Sequence, residues 1–271
     1  MAQVPGIAIE NLSVVFKTRT GNTVALDNVS FDIAPRSFLS VVGPSGCGKT
    51  TLLKILSGVL QPSSGRVLFD GDLIEKNKVQ GQVGYVFQRA LLLPWRTALE
   101  NVMLTMEVAR RDLNRSQREK EAMHWLRIAG LAGFEHRYPH ELSGGMQQRV
   151  SICRALAFRP KILLMDEPFA ALDEITRETL QEELLRIWAQ TEATVIFITH
   201  SIPEAVLLSE QIVVMSARPG RVLERISVPF PRPRGEEIRE LPDFVSLTSR
   251  IRGLLRYRES AAVQTPAAVG A

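Results

Sequence analysis

The chain opens on short runs with the alternation of β-strands. "IAIENLSVVF" and "VALDNVSFDI" mix apolar and polar positions, whereas "SFLSVVG" is apolar on both alternations. The first kind predicts strands with one wet face, and the second a strand buried on both faces. The turn-forming "PSSGR" precedes "VLFDGDLI", where Asp70-Gly71 between apolar residues predicts a hairpin turn. Three later runs, "VGYVFQ", "KILLMDEP" and "ATVIFITHS", are apolar throughout and widely spaced, as buried parallel strands would be.

Between these runs the apolar period lengthens to that of a helix. "GKTTLLKILSGV" puts Leu52, Ile55, Leu56 and Val59 on one face and meets a stop signal at Gly58. From about residue 97 to 130 the chain is polar and rich in Arg and Glu, with Val102, Met106, Met123 and Leu126 at helical spacing. That region reads as a helical insertion. "LSGGMQQRVSICRALAF" reads as a loop feeding a helix that ends before Pro160, and "RETLQEELLRIWAQ" as an amphipathic helix burying Leu180, Leu184 and Ile187. Strands that alternate with helices predict an α/β fold around a parallel sheet. After Pro229, "PFPRPRGEE" reads as a linker, "DFVSLTSRIRGLLRYR" as one helix and "SAAVQTPAAVGA" as a frayed end.

Composition narrows the class. The chain has 271 residues, 45% hydrophobic and 23% charged, enough for one large domain, or a domain with a subdomain and tail, without disulfide staples. Its two cysteines, Cys47 and Cys153, are far apart and lack metal-ligand spacing, which predicts a reduced cytosolic protein. The start "MAQVPGIAIENLSVVF" has neither a basic opening nor an uninterrupted apolar run, so no signal peptide is expected. No stretch approaches the roughly 18 apolar residues of a spanning helix. Work at a membrane would therefore go through a partner. Of the net charge of +4, all the surplus lies between Arg218 and Arg258, where ten arginines face five acidic residues and no lysine. Such a stretch suits nucleic acid or acidic headgroups, or is a solvated surface with local ion pairs.

"GPSGCGKT", Gly43 to Thr50, follows the strand "FLSVV" and precedes a helix, the context in which G-x-x-x-x-G-K-[ST] cradles phosphate. The backbone of Gly43, Pro44, Ser45, Gly46, Cys47 and Gly48 would wrap the phosphates, helped by the positive end of the following helix. Lys49 would bridge the β- and γ-phosphates, the Thr50 hydroxyl would ligate Mg²⁺, and Thr51 would add a phosphate contact. Cys47 is within the loop but is given no chemistry of its own. The strand "ILLMD" delivers Asp166 at its C-terminal end to hold the metal's hydration shell. Glu167 follows, placed to polarise an attacking water.

With the loop "LSGGMQQR", these elements resemble the ATP-binding cassette subunits of membrane transporters over roughly residues 7–228. The resemblance implies a P-loop NTPase cassette with a RecA-like core sheet, an antiparallel β subdomain and a helical subdomain at about residues 90–150. Residues 229–271 would form a C-terminal extension. It further implies that Ser143, Gly144 and Gly145 close over nucleotide held by an opposing copy, so that a head-to-tail homodimer completes two sites. The family often has glutamine where this chain has Met146, but the serine and glycines are intact. By the same resemblance Gln88 senses metal and water, Asp173 lies at the dimer contact, and His200 grips the γ-phosphate. Phe16 stacks on adenine, or else is a core phenylalanine. His124, His136 and His140 match nothing and are expected at the surface.

"RALLLPWRTALENV" and "VVMSARPGRVLERISVPFPRPR" resemble the importer ATPases of the nitrate, sulfonate and taurine group. The first would dock an integral membrane permease through Leu91, Leu92, Leu93 and Trp95, or else pack on the chain's own core. The resemblance thus implies ATP and Mg²⁺, permease partners, an extracytoplasmic solute-binding protein at one remove, and a peripheral place on the cytoplasmic face of the inner membrane. Cassette proteins that act on nucleic acid or ribosomes usually carry two cassettes or a long coiled-coil insertion. This chain has one cassette and no such insertion. A P-loop kinase or GTPase needs neither the serine-glycine-glycine loop nor His200.

Overall fold

The computed structural model describes residues 6–18, 21–74 and 81–263, without the side chains of 257–263. Its contacts divide the chain into two units: Met1–Ala34, Phe38–Ile74 and Ile198–Ala271 form one, and Pro35–Ser37 with Glu75–Phe197 the other.

The first unit holds an antiparallel sheet made of β1 (Ile7–Thr18), β2 (Gly21–Ile33), β4 (Ser64–Phe69) and β5 (Asp72–Leu73), in the order β2-β1-β4-β5. The Asp70-Gly71 hairpin forms as read, with φ of 50° and 87° at its two residues, the left-handed pair that a tight two-residue turn demands. At Gly65, where φ is +81°, an added Cβ would fall 2.3 Å from the Asn11 carbonyl oxygen. Gly65→Ala therefore loses about 2–4 kcal/mol of stability, read as a lower urea midpoint; an unchanged midpoint would show that β1 yields there.

The same unit contains β3 (Phe38–Val42), paired in parallel with β9 (Gln211–Met215), and β10 (Val222–Ser227), antiparallel to β9. The phosphate loop leads from β3 into α1 (Lys49–Leu56). That helix meets its stop at Gly58 as read, with φ 72° there, but Val59, read on the apolar face, lies beyond the helix and is 73% exposed. Strands β9 and β10 and the short helix α6 (Ile202–Leu208) add to the elements read from sequence. Six of the seven α6 residues are buried, which erases the amphipathic stripe that marks a surface helix. A last helix, α7 (Pro242–Val263), starts where expected and runs on through 263, while residues 264–271 of the supposed frayed end lie outside the described residues.

The linker reading of "PFPRPRGEE" fails. Val228, Ile238, Phe244 and Ile251 are buried in one core with α6 and β9, and Phe230 packs against it. Nor is the arginine-rich stretch an open basic face. Arg221 pairs with Asp27, Arg232 with Glu210 and Arg250 with Glu224, while Arg225 donates to Asp32 O and Arg234 to several carbonyls. This is the solvated surface with local partners, the plainer of the two readings.

The second unit supplies the helical insertion as two helices, α2 (Ala98–Ala109) and α3 (Arg115–Ile128). Each starts at a capping box, Thr97 with Glu100 and Asn114 with Gln117. Next come α4 (Gly144–Leu156) and α5 (Glu174–Trp188). Its strands are β6 (Val83–Val86), β7 (Ile162–Asp166) and the first four residues of β8 (Thr194–Thr199), whose last two belong to the first unit; β7 lies between β6 and β8 and is parallel to β6. Ile162 to Met165 are fully buried, as a strand apolar on both alternations requires. No helix among the described residues is long and apolar enough to cross a membrane.

Candidate nucleotide site

The predicted residues divide between the units: Phe16, the loop 43–51 and His200 belong to the first, and Gln88, Ser143, Gly144, Gly145, Asp166, Glu167 and Asp173 to the second.

In the first unit the phosphate loop is clamped from behind. An added Cβ at Gly43 would meet Cys47 Sγ at 2.8 Å, and one at Gly48 would meet Leu26 Cδ2 at 2.6 Å. Gly46 and Gly48 take φ of 76° and 100°, left-handed values that turn successive amides to one side. Lys49 is buried, and its ammonium donates to Gly43 O at 2.8 Å and Pro44 O at 3.0 Å. Its charge is thus held at the loop's rim by the loop's own carbonyls. Cys47 is fully buried, and burial pushes its thiol up despite Lys49 nearby. A protonated, enclosed thiol is poor in reactivity, in keeping with a packing role. Thr50 is exposed.

Phe16, on β1, is 40% exposed, which sets aside its reading as a core phenylalanine. His200 is exposed at the end of β8, one residue past buried Thr199. The Thr199 hydroxyl donates to Glu204 Oε2 at 2.6 Å and accepts from Ser201 N at 2.9 Å, so the turn carrying His200 is fastened on both sides. His124, His136 and His140 are exposed, as expected.

In the second unit Asp166 closes β7, half-buried, and Glu167 follows with φ 46°. A left-handed glutamate is uncommon and turns the chain sharply off the strand end. Tyr85 Oη donates to Asp166 Oδ2 at 3.5 Å, and its ring lies 4.3 Å from that of Phe87. Burial foremost, and then Asp166, raise the phenol, so Tyr85 remains a donor to the carboxylate. Sequence reading had no signal for Tyr85, which presented itself only as a strand residue in "VGYVFQ".

Gln88 is exposed just past β6, and the backbone around it is tied to α4. Gln148 Nε2 donates to Phe87 O at 3.1 Å, while Arg154 donates to Ala90 O and Leu91 O at 2.7 and 2.8 Å. Leu91 and Trp95 are 57% and 70% exposed, so they do not pack in the core. Leu91 stands at an open cavity of about 440 Å³ that Tyr85, Phe87, Leu104, Val108 and Phe158 also line. Asn101 fixes the rest of the loop by accepting from Leu93 N and donating to Leu93 O.

Ser143 is the N-cap of α4: its hydroxyl accepts from Met146 N at 3.3 Å. Ser143 and Gly144 are exposed, whereas Gly145 is buried where a Cβ would strike Thr176 Cγ2 at 2.7 Å. Only glycine lets α4 start so close to α5. Asp173 caps α5, accepting from Thr176 N at 3.0 Å, and that amide holds its carboxyl below the usual range.

A family model described as "ABC transporter" matches residues 26–170. The chain is 47% identical to the taurine import ATP-binding protein of Rhizobium johnstonii, over 93% of this chain and 97% of that one. It is 43% identical to the nitrate import ATP-binding protein of Synechococcus elongatus, over 90% and 89%. Among solved structures, an ATP-binding cassette in a dimeric post-hydrolysis state with ADP and phosphate superposes with a TM-score of 0.73 at 33% identity, over 83% of this chain and all of that one.

Proposed function

We propose that this chain, which belongs to the ABC transporter family, is the ATP-hydrolysing subunit of a membrane importer for a small anionic or zwitterionic solute such as taurine, another aliphatic sulfonate or nitrate. The observation that carries this is end-to-end similarity to import ATP-binding proteins in a chain that keeps an intact phosphate loop. The cassette would span residues 7–228, with its helical subdomain at about 90–150 and an extension at 229–271.

In this reading the amides of 43–48, Lys49 and Thr51 bind the phosphates of ATP, and Phe16 stacks on the base. Thr50, Asp166 and Gln88 would each offer an oxygen ligand of the kind Mg²⁺ takes, and the bound ion would neutralise phosphate charge. Glu167 takes the proton of the attacking water, while His200 contacts the γ-phosphate. Ser143, Gly144 and Gly145 would donate to nucleotide held by a second copy, aided by the positive end of the 13-residue helix they begin, with Asp173 at the contact between copies. Two copies closing on two nucleotides would drive the permease to its alternate state, and hydrolysis would reopen them. Leu91 and Trp95, exposed beside an apolar cavity, suit the permease contact. The chain would sit on the cytoplasmic face of the membrane, served by a solute-binding protein on the other side.

A strain lacking this chain should lose growth on taurine or an alkanesulfonate as sole sulfur source, or on nitrate as sole nitrogen source. Wild-type uptake of all three would refute the solute class while leaving the ATPase untouched.

A further inference from the structure

The segment "PFPRPRGEE" has no part in the chemistry above, yet its contacts reach the elements that carry it. Arg234 is only 5% exposed. Its Nη1 donates to the carbonyls of Val206, Leu207 and Ser209 at 3.2, 3.1 and 2.7 Å, and its Nε and Nη2 to Phe230 O at 3.0 and 2.6 Å. The first three carbonyls end α6, where a helix leaves acceptors unpaired and its dipole is negative. Burial brings the guanidinium down to about 10, so it stays charged at neutral pH.

Arg232 grips a second point. It donates to Leu208 O and to Glu210 Oε1, while Glu210 Oε2 accepts from Phe38 N at 2.7 Å. Glu210 N also donates to Phe38 O at 2.9 Å. Phe38 opens β3, the strand that runs into the phosphate loop at Gly43. One strap thus holds the far end of α6 and the root of β3. The near end of α6 is fastened by the Thr199–Glu204 and Ser201–Thr199 hydrogen bonds on either side of His200.

We propose that Arg234 and Arg232 are positioning residues for ATP hydrolysis, bracing α6 on the root of β3 so that His200 is held in register with the phosphate loop. This rests on the roles proposed above for His200 and that loop. With seven residues α6 is about 10 Å long, short enough to move as one rigid rod, so a shift at its freed far end is passed on to the near end. Misplacement by an ångström at a reacting centre costs up to about a hundredfold in rate. Ile202, Ala205, Val206 and Leu207 are buried in one core with Ile238, Phe244 and Ile251, which keeps the helix folded when the hydrogen bonds go.

In the full chain, Arg234→Ala lowers kcat about tenfold with KM for ATP unchanged, and speeds hydrogen exchange of amides 202–209 above that of the other helices. In a His200→Ala background the same substitution costs nothing further, because it acts through a group already gone. Arg234→Lys, which keeps a cation against the carbonyls, falls between; if the alanine variant does not fold, Arg234→Lys and Arg232→Ala run the same cycle. Losses that multiply independently, or wild-type exchange across 202–209, overturn the brace. A silent Arg234→Ala beside a damaged His200→Ala overturns the brace alone, whereas a silent His200→Ala overturns it together with the role given to His200.

Discussion

Glu167→Gln leaves ATP affinity where it was and removes nearly all turnover. The carboxylate stands just past β7, whose residues 162–165 are fully buried, with its backbone held in a left-handed turn. The amide keeps the size and the turn but cannot take a proton from water. Loss of a general base lowers the rate by about 10²–10⁴-fold, or about 3–5 kcal/mol in the barrier. Phosphate release and nucleotide binding, measured on one preparation, separate the two effects. Wild-type turnover in this variant would remove Glu167 as the base, and lost affinity would make it a ligand instead.

Lys49→Ala, by contrast, strikes binding itself. The ammonium is buried at the loop's rim and donates to two loop carbonyls, which nucleotide phosphate would replace as acceptor. Two charge-assisted hydrogen bonds of about 1.5–3 kcal/mol each amount to a loss of about 10²–10⁴ in ATP affinity. Equilibrium binding of labelled ATP with Mg²⁺ reads this directly. Tight binding by the variant would count against the phosphate-loop assignment, and a collapsed thermal midpoint would show that Lys49 holds the loop rather than the ligand.

Much of this was legible because the chemistry sits at the ends of regular elements. The phosphate loop, the Asp-Glu pair and His200 each follow an apolar run, and the runs at 38–42, 162–166 and 194–199 form strands as read. The Asp70-Gly71 turn was legible for the same local reason, since only certain residues accept two left-handed positions in succession. What escaped was set by tertiary contact. Helix α6 is buried almost all round and shows no stripe. The prolines of "PFPRPR" look like a linker until Arg232 and Arg234 are seen gripping α6. Val59 has the right period for α1, but the helix ends three residues before it. Tyr85 acquires meaning only from a carboxylate 81 positions away. Phe16 and Trp95 stood between core and surface, and only solvent exposure separates these alternatives.

The whole account turns on Ser143 of one copy serving the nucleotide bound by another, and the molar mass of the hydrolysis-blocked chain tests that most directly. Light scattering on Glu167→Gln with excess ATP and Mg²⁺ should give about twice the chain mass of 30.2 kDa, and should return to a single chain when Ser143→Arg is added. A mass that stays at 30.2 kDa at saturating ATP, or a double mass indifferent to Ser143→Arg, would contradict it.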